Sequence, residues 1–343
     1  MSQLSDMFSK SALLVLVLAP ACTRASVPAA SPSPILTQVD TPTTPSSAAP
    51  TSPTPPPPVS SDLVWVALEN QEAIAEVDVN ARRIVSKRRM SGAPHNITVA
   101  PNGTVAVTLP TAGRVALIQG RSVRNVHLGG SPHDVKAAAK SFLVANEGAA
   151  RLHLLSLRGK WLGDIPLPAN PHDLAVSHDQ KRAWVSLDGS NRIAVVDIAE
   201  RKILRLVSTT GRPHDLLFGP NGEVWVSDWR TGVSIYSQGG KRIGQVLPTV
   251  QVHHLAFSPD GRVAWLTDHA DDRVFVLATR TRSVLASIPI GGAPHHVAVT
   301  PDGRWAVVAN HDNGRLVVFD ARTRRRVSAI RIGAGPHGVW AVP

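Results

Sequence analysis

One cysteine, Cys22, stands in the 343 residues, so neither an intramolecular disulfide nor a multi-cysteine metal site can form, and any metal must be held by histidines and carboxylates. Aromatic residues are scarce at 4%, with a single Tyr, and they do not interleave with the basic residues as a base-stacking surface requires. The sequence has no phosphate-loop lysine motif, no His-Glu-x-x-His and no Gly-x-Ser-x-Gly elbow. Gly333 to Gly338 matches the dinucleotide fingerprint as a string, but too few residues follow it to build the helix that chemistry needs. With 25 Gly and 28 Pro, an all-helical chain is disfavoured.

Long hydrophobic runs are also missing. The one apolar stretch, SALLVLVLAPA at 11–21, is too short to span a bilayer and follows Lys10. It reads as the core of an export signal, and the cysteine directly after it makes residues 1–22 resemble a lipoprotein signal with Cys22 as the lipidated residue. The alternative is ordinary cleavage after Ala21. Residues 23–60 are Pro, Ser, Thr and Ala, ending in Pro55 to Pro58, and are expected to be a disordered linker. As a polyproline spacer the linker would reach on the order of 100 Å from an anchored Cys22. The expected location is therefore periplasmic or cell-surface, with the membrane reached through the anchor.

The formal charge of +11 falls wholly on residues 61–343, because Asp6, Lys10, Arg24 and Asp40 cancel. Within that region a histidine recurs after a Gly/Pro-rich approach: His95, His133, His172, His214, His253, His295 and His337, at spacings of 38, 39, 42, 39, 42 and 42. A second register also recurs seven times: WVAL (65–68), AVTL (106–109), LVAN (143–146), WVSL (184–187), WVSD (225–228), WLTD (265–268) and VVAN (307–310). Between the registers lie turns such as GPNG (219–222), SPDG (258–261) and TPDG (300–303), with Pro, Asn/Asp and Gly where a tight turn needs them. Third and fourth runs follow, as in RLVVFDA and RRRVSAIRI. Four strands per roughly forty residues make a propeller blade. The repeat region opens on a second strand (62–68) and closes on an unpartnered first strand (336–343), so joining them completes a seventh blade and removes an open edge. The expected fold is an all-β, seven-bladed β-propeller over 61–343.

The unit VVANHDNGRLVVFDARTRRRVSAIRIGAGPHGV (307–339) resembles the YVTN repeat of YncE-like and surface-layer propellers. Its Tyr is replaced throughout, and its Asn survives only at Asn146 and Asn310. That resemblance implies an exported binding or scaffold protein of the cell envelope, without a defined reaction.

In such a propeller the seven histidines ring one mouth of the channel, joined from the second loops by Glu69, Glu147, Asp188, Asp228, Asp268, His269, His311 and Asp312. Neutral imidazoles and carboxylates suit zinc, copper or nickel. The preferred cluster is His253, His295 and His337 with His269 and His311, since strand alternation should turn the second member of His253-His254 and His295-His296 away from the channel. Against this stands a structural role, in which Ser186, Ser227 and Thr267 receive hydrogen bonds from the ring, as in tryptophan-aspartate repeats. RPHDLLFGPNGEVWVSD (212–228) and GPHGVWAV (335–342) also resemble repeats of the streptogramin lyases. That likeness implies a metal-dependent lyase or lactonase-like hydrolase with His214 and His337 as acid and base and Asp228 and Asp268 beside them.

Basic residues gather on fourth strands: Arg82, Arg83, Lys87, Arg88 and Arg89; Arg201, Lys202 and Arg205; Arg322, Arg324, Arg325 and Arg326. They read as a solvated rim that protects edge strands, with a protein partner or anionic envelope polymer as the alternative and nucleic acid held only through non-specific phosphate contacts. A monomer is expected.

Overall fold

The computed structural model describes residues 62–342, and the expected signal, Cys22 and the linker up to residue 60 lie outside them. Seven sheets of four antiparallel strands account for the described chain. Blade 1 is built from Leu63–Leu68, Ala73–Asp78 and Arg83–Arg89, with the C-terminal strand Pro336–Ala341 on its inner edge. Cross-strand partners there include Val64 with Ala341, Trp65 with Trp340 and Val66 with Val339, so the two ends of the repeat region close the ring as expected. Blades 2 to 7 follow in chain order and carry His95, His133, His172, His214, His253 and His295, while His337 belongs to blade 1. Among the described residues no helix is long and apolar enough to cross a membrane.

Burial follows strand position. Second strands such as SFLVAN (Ser141–Asn146) and WAVVAN (Trp305–Asn310) are buried along their whole length, because each blade is covered on both faces by its neighbours. Outer strands such as Arg83–Arg89 alternate between exposed and half-buried. Trp184, Trp225 and Trp265 fill successive gaps between blades: Trp184 packs with Leu216 and Phe218 of the next blade, Trp225 with Leu255 and Leu266, and Trp265 with Val297 and Phe319. Trp65 is only half-buried at the corresponding position.

Part of the basic rim stitches blades together. Arg88 donates to the carbonyls of Gly120 and Arg121, Arg201 to that of Leu162, Arg205 to that of Gln238 and Arg282 to that of Ile243, each across to an adjacent blade. The turns form as their residues dictate: in GPNG, SPDG and TPDG the final glycine takes a positive φ and donates to the first residue's carbonyl at 2.8–2.9 Å.

Gly232 opens the third strand of blade 5 at φ +74°, and a Cβ there would lie 1.9 Å from the carbonyl oxygen of Leu247, which is backbone and cannot yield. We expect Gly232→Ala to cost at least about 2 kcal/mol. Urea unfolding of both proteins measures this, and an unchanged midpoint would contradict it.

Candidate functional site: the histidine-lined channel

The inner strands start with a fault in register. Pairing with the second strand shifts between Pro132 and Asp134, Pro171 and Leu174, Pro213 and Leu216, Val252 and Leu255, and Pro294 and Val297. In four of them the bulge leaves the ring histidine and its successor out of the regular ladder, and in blade 3 it leaves out His133 alone, with Asp134 paired to Ala145. Strand hydroxyls hold it in place: Thr108, Ser227 and Thr267 accept the amide N–H of Asn96, Asp215 and His254 at 2.9–3.0 Å. The same three hydroxyls donate to the carbonyls of His133, His253 and His295 in the next blade. Ser186 accepts from Asp173 but returns its proton to the same residue.

This corrects two expectations. The hydroxyls bind backbone, leaving the imidazoles free of them. Alternation also fails at the paired histidines: the bulge turns both members inward, so His254 and His296 face the channel with ring centroids 3.4 Å apart, and His254 Nδ1 lies 2.6 Å from His253 Nδ1.

All seven repeat histidines meet in one closed ring. In the order His95, His133, His172, His214, His253, His295, His337 and back to His95, successive centroids lie 3.9–4.8 Å apart. His133 Nδ1 and His214 Nδ1 sit 3.1 Å from the carbonyls of His172 and His253, which can only accept, so Nδ1 carries a proton in both, and in His214, held towards its neutral form by burial, the Nε2 lone pair is left free. The Nδ1 atoms of His95, His295 and His337 and the Nε2 atoms of His254 and His296 are buried without a partner.

Below the ring runs a second tier: Asn96, Asp134, Asp173, Asp215, His254, His296 and Gly338, each directly following a ring histidine in sequence. Asp173 is its hub, 3.1 Å from His172 Nδ1, 3.6 Å from His133 Nδ1, and 3.7 Å from both His214 Nδ1 and His254 Nε2. Burial opposes its charge, yet the surrounding imidazoles prevail and hold it well below the usual carboxylate range. Burial likewise opposes charge on His133, and Asp173 reverses this, raising it. Asp215, buried and close to the Asp173 charge, is pushed up to about 8. Asp134 takes Lys136 on both carboxylate oxygens at 2.8 Å. Burial, reinforced mainly by neighbouring histidines, lowers His95, His214, His253, His254, His295, His296 and His337, with His295 at about 3, and burial also lowers the half-exposed His269.

Over the ring, the residue after each second strand forms an uneven rim: Glu69, Pro110, Glu147, Asp188, Trp229, His269 and His311. Glu147 lies 3.7 Å from His172 Nε2, and Asp188 pairs with Arg212 at 2.6 Å. Trp229 meets His214 and His253 edge-on at 4.7 and 5.1 Å. His269 lies 4.6 Å from His295 and His311 4.5 Å from it, with His311 Nδ1 also on Asp312 at 2.9 Å.

The five preferred histidines therefore divide. His253, His269 and His295 offer nitrogens within 4.8 Å of one another, while His337 groups with His95 and Glu69, and His311 stands beside His295. Further donor groups are His214–His253–His254 and His133–His172–Asp173. The proposed acid-base set does not assemble as expected. His253 and His295 stand between His214 and His337 in the ring, and Asp228 and Asp268 are buried in their own turns, accepting the amides of Arg230 and Thr231 and of Ala270 and Asp271. Asn146 does comparable work, joining Ser131 N and Gly129 O of the loop that leads to His133. The sequence reading missed Trp229, Asp173 and the inward turn of His254 and His296. Aligning the residue after each repeat histidine, and the one after each second strand, would have singled out Asp173 and Trp229 as positions to examine, but not the inward turn of the paired histidines.

No family model matches the sequence, and no curated protein matches it. Solved structures share its fold. Hydrazine synthase of Kuenenia stuttgartiensis is 16% identical with a TM-score of 0.66, covering 79% of this chain and 99% of that one. A catalytically inactive histidine variant of virginiamycin B lyase from Staphylococcus aureus, with quinupristin, is 15% identical with a TM-score of 0.65, covering 80% and 91%. The dihydro-heme d1 dehydrogenase NirN is 16% identical with a TM-score of 0.63, covering 82% and 75%. At these identities the likeness is one of fold: a seven-bladed propeller shared by enzymes of different chemistry.

The titrations carry a sign. Eight lowered histidines bind fewer protons folded than unfolded, so their contribution is complete above 6.5 and is lost as pH falls below it. Asp215 and His133 are raised and act oppositely, losing stability as pH climbs towards about 8 for Asp215. We expect the thermal midpoint of the metal-free protein to peak a little above pH 7, where the unfolded imidazoles have given up their protons, to fall steeply towards pH 4.5 and to decline mildly towards pH 8. A midpoint that stays level between pH 6.5 and 4.5 would mean the imidazoles are not held neutral.

Proposed function

We propose that the protein is an exported binding protein of the cell envelope, tethered through Cys22 and the 23–60 linker, whose mouth takes a transition-metal ion, zinc or copper, on neutral imidazoles. One observation carries this reading: histidines held towards the neutral form converge in groups of three, and in the group His253–His269–His295 the Nδ1 atoms of His269 and His295 lack a hydrogen-bond partner. Unpaired buried polar atoms are costly, and coordination would satisfy them. The group His253–His269–His295 suits the role best, since all three are lowered towards the neutral form a metal requires and His269 reaches in from the half-exposed rim. Three protein nitrogens leave a coordination position open, which fits an ion presented to a ligand or partner from outside. The YVTN-type repeat and the signal-type N-terminus support the envelope setting.

The second reading, a metal-dependent lyase or hydrolase at the same mouth, draws support from the fold shared with virginiamycin B lyase. It is the weaker one, because Asp228 and Asp268 are buried with turn amides on one carboxylate oxygen, and His253 and His295 stand between His214 and His337.

Metal content and zinc and copper titrations of the purified, chelator-stripped protein test the proposal. We expect one tight ion per chain, and His269→Ala, which lies outside the closed ring, to weaken it at least about ten-fold. His178→Ala, on an exposed turn, should leave it unchanged. Binding that ignores His269→Ala, or a folded protein that takes no metal, would refute the metal site. Turnover of quinupristin by the loaded protein, lost in His214→Ala, would instead establish the lyase.

A further inference from the structure

The donor group His253–His269–His295 follows a plan: a rim residue, the ring histidine of its own blade and the ring histidine of the next. His269 and His253 come from blade 6 and His295 from blade 7. The plan recurs at Glu69. Glu69 follows the second strand of blade 1, His337 is that blade's ring histidine and His95 is that of blade 2, and one ligand atom of each lies within 4.8 Å of the other two. The two bays have no residue in common, so the second stands whether or not the first binds metal.

Backbone contacts build this bay. The Glu69 amide donates to the carbonyl of Gly335 at 2.8 Å, which ties the rim residue to the loop entering His337, and the amide of Gly338 donates to the carbonyl of His95 at 3.0 Å. Glycine stands at both approaches because nothing larger fits. A Cβ on Gly335, at φ +64°, would lie 2.9 Å from the backbone nitrogen of Asn70, and one on Gly338 would run into the carbonyl oxygen of His95. With Gly338 where the other blades carry a polar residue, the His95 and His337 rings come to 3.9 Å between centroids.

Blade 3 shows why this bay is free. Its rim residue Glu147 also stands beside a ring histidine, 3.7 Å from His172 Nε2, but there Asp173 already takes His172 Nδ1 at 3.1 Å and lies 3.6 Å from His133 Nδ1. Neither His95 nor His337 is followed by a carboxylate, and no side chain of the described residues donates a hydrogen bond to that of Glu69. Access is open as well. Glu69 and His95 are half-buried, and His95 and His337 line a hollow of about 150 Å3 at the mouth.

We infer that Glu69, His95 and His337 form a second ion site, for a divalent cation that takes mixed nitrogen and oxygen ligands, manganese(II) or iron(II). Two imidazoles and one carboxylate are a ligand set such ions accept, with further coordination positions left open. Where the first bay has His269 this one has Glu69, whose negative charge offsets part of the ion's own, as three neutral imidazoles cannot. Magnesium and calcium take oxygen ligands and are poorly served by two imidazoles.

Manganese(II), titrated into the chelator-stripped full chain and followed by electron paramagnetic resonance, tests this. One ion per chain should bind and show spin-echo modulation from imidazole nitrogen, and an excess of magnesium or calcium of about ten-fold should leave it in place. Glu69→Gln should weaken manganese at least about ten-fold, whereas Glu147→Gln, at the same position of blade 3, should leave it unchanged. His269→Ala should weaken zinc and spare manganese, so either bay can fail without the other. No saturable manganese binding to folded protein, binding without nitrogen modulation, displacement by magnesium or calcium, insensitivity to Glu69→Gln, or weakening by His269→Ala overturns the inference.

Discussion

Everything at the centre of this molecule depends on a one-residue slip between the first and second strands. A regular strand would send alternate side chains to opposite faces and place one residue of each consecutive pair against a neighbouring blade. Because the ladder skips at the head of the inner strands, two consecutive side chains are released towards the axis. The hydroxyl of the second strand makes that skip stable, since it accepts an amide the ladder has abandoned and hands its own proton to the next blade. One small side chain thus supports two tiers of functional groups and couples adjacent blades.

The two tiers do different electrostatic work. Imidazoles crowded at centroid separations of about 4 Å cannot all carry protons, so the upper ring is mostly neutral and rich in lone pairs. Asp173 breaks the seven-fold pattern by supplying one buried negative charge on the side of His133 and His172. The rim is lopsided as well, with Glu69, Glu147 and Asp188 following the second strands of blades 1, 3 and 4, and Trp229, His269 and His311 those of blades 5, 6 and 7. A propeller built from near-identical repeats therefore presents a polarised mouth. A ligand there meets carboxylates on one flank and aromatic rings on the other.

The fold was legible in the sequence because blade periodicity, turn residues and strand closure are all local patterns. Seven histidines at a near-constant interval had to converge once the propeller was recognised, and they do. What each would touch was less accessible. The bulge has no residue signature of its own, so alternation gave the wrong facing for His254 and His296. The carboxylates of Asp228 and Asp268 looked available for chemistry, since nothing in WVSD or WLTD announces that the next turn's amides will take one oxygen of each. Asp173 became a hub only through neighbours as far apart in the chain as Asn96 and His254, contacts that no single repeat contains.

The closure of blade 1 bears on how the site comes into being. His337 stands on the last strand of the propeller, which seats beside the first, so the gap between His295 and His95 is filled by the propeller strand that is synthesised last. Such a pairing joins residues near opposite ends of the domain and is among the slowest contacts for a chain to make. Six imidazoles can gather before it, but the circle and the inner edge of blade 1 at Trp340 and Val339 arrive together. Synthesis and docking of one short strand thus act as a completeness check: a nascent propeller displays neither a finished mouth nor a closed circle of blades.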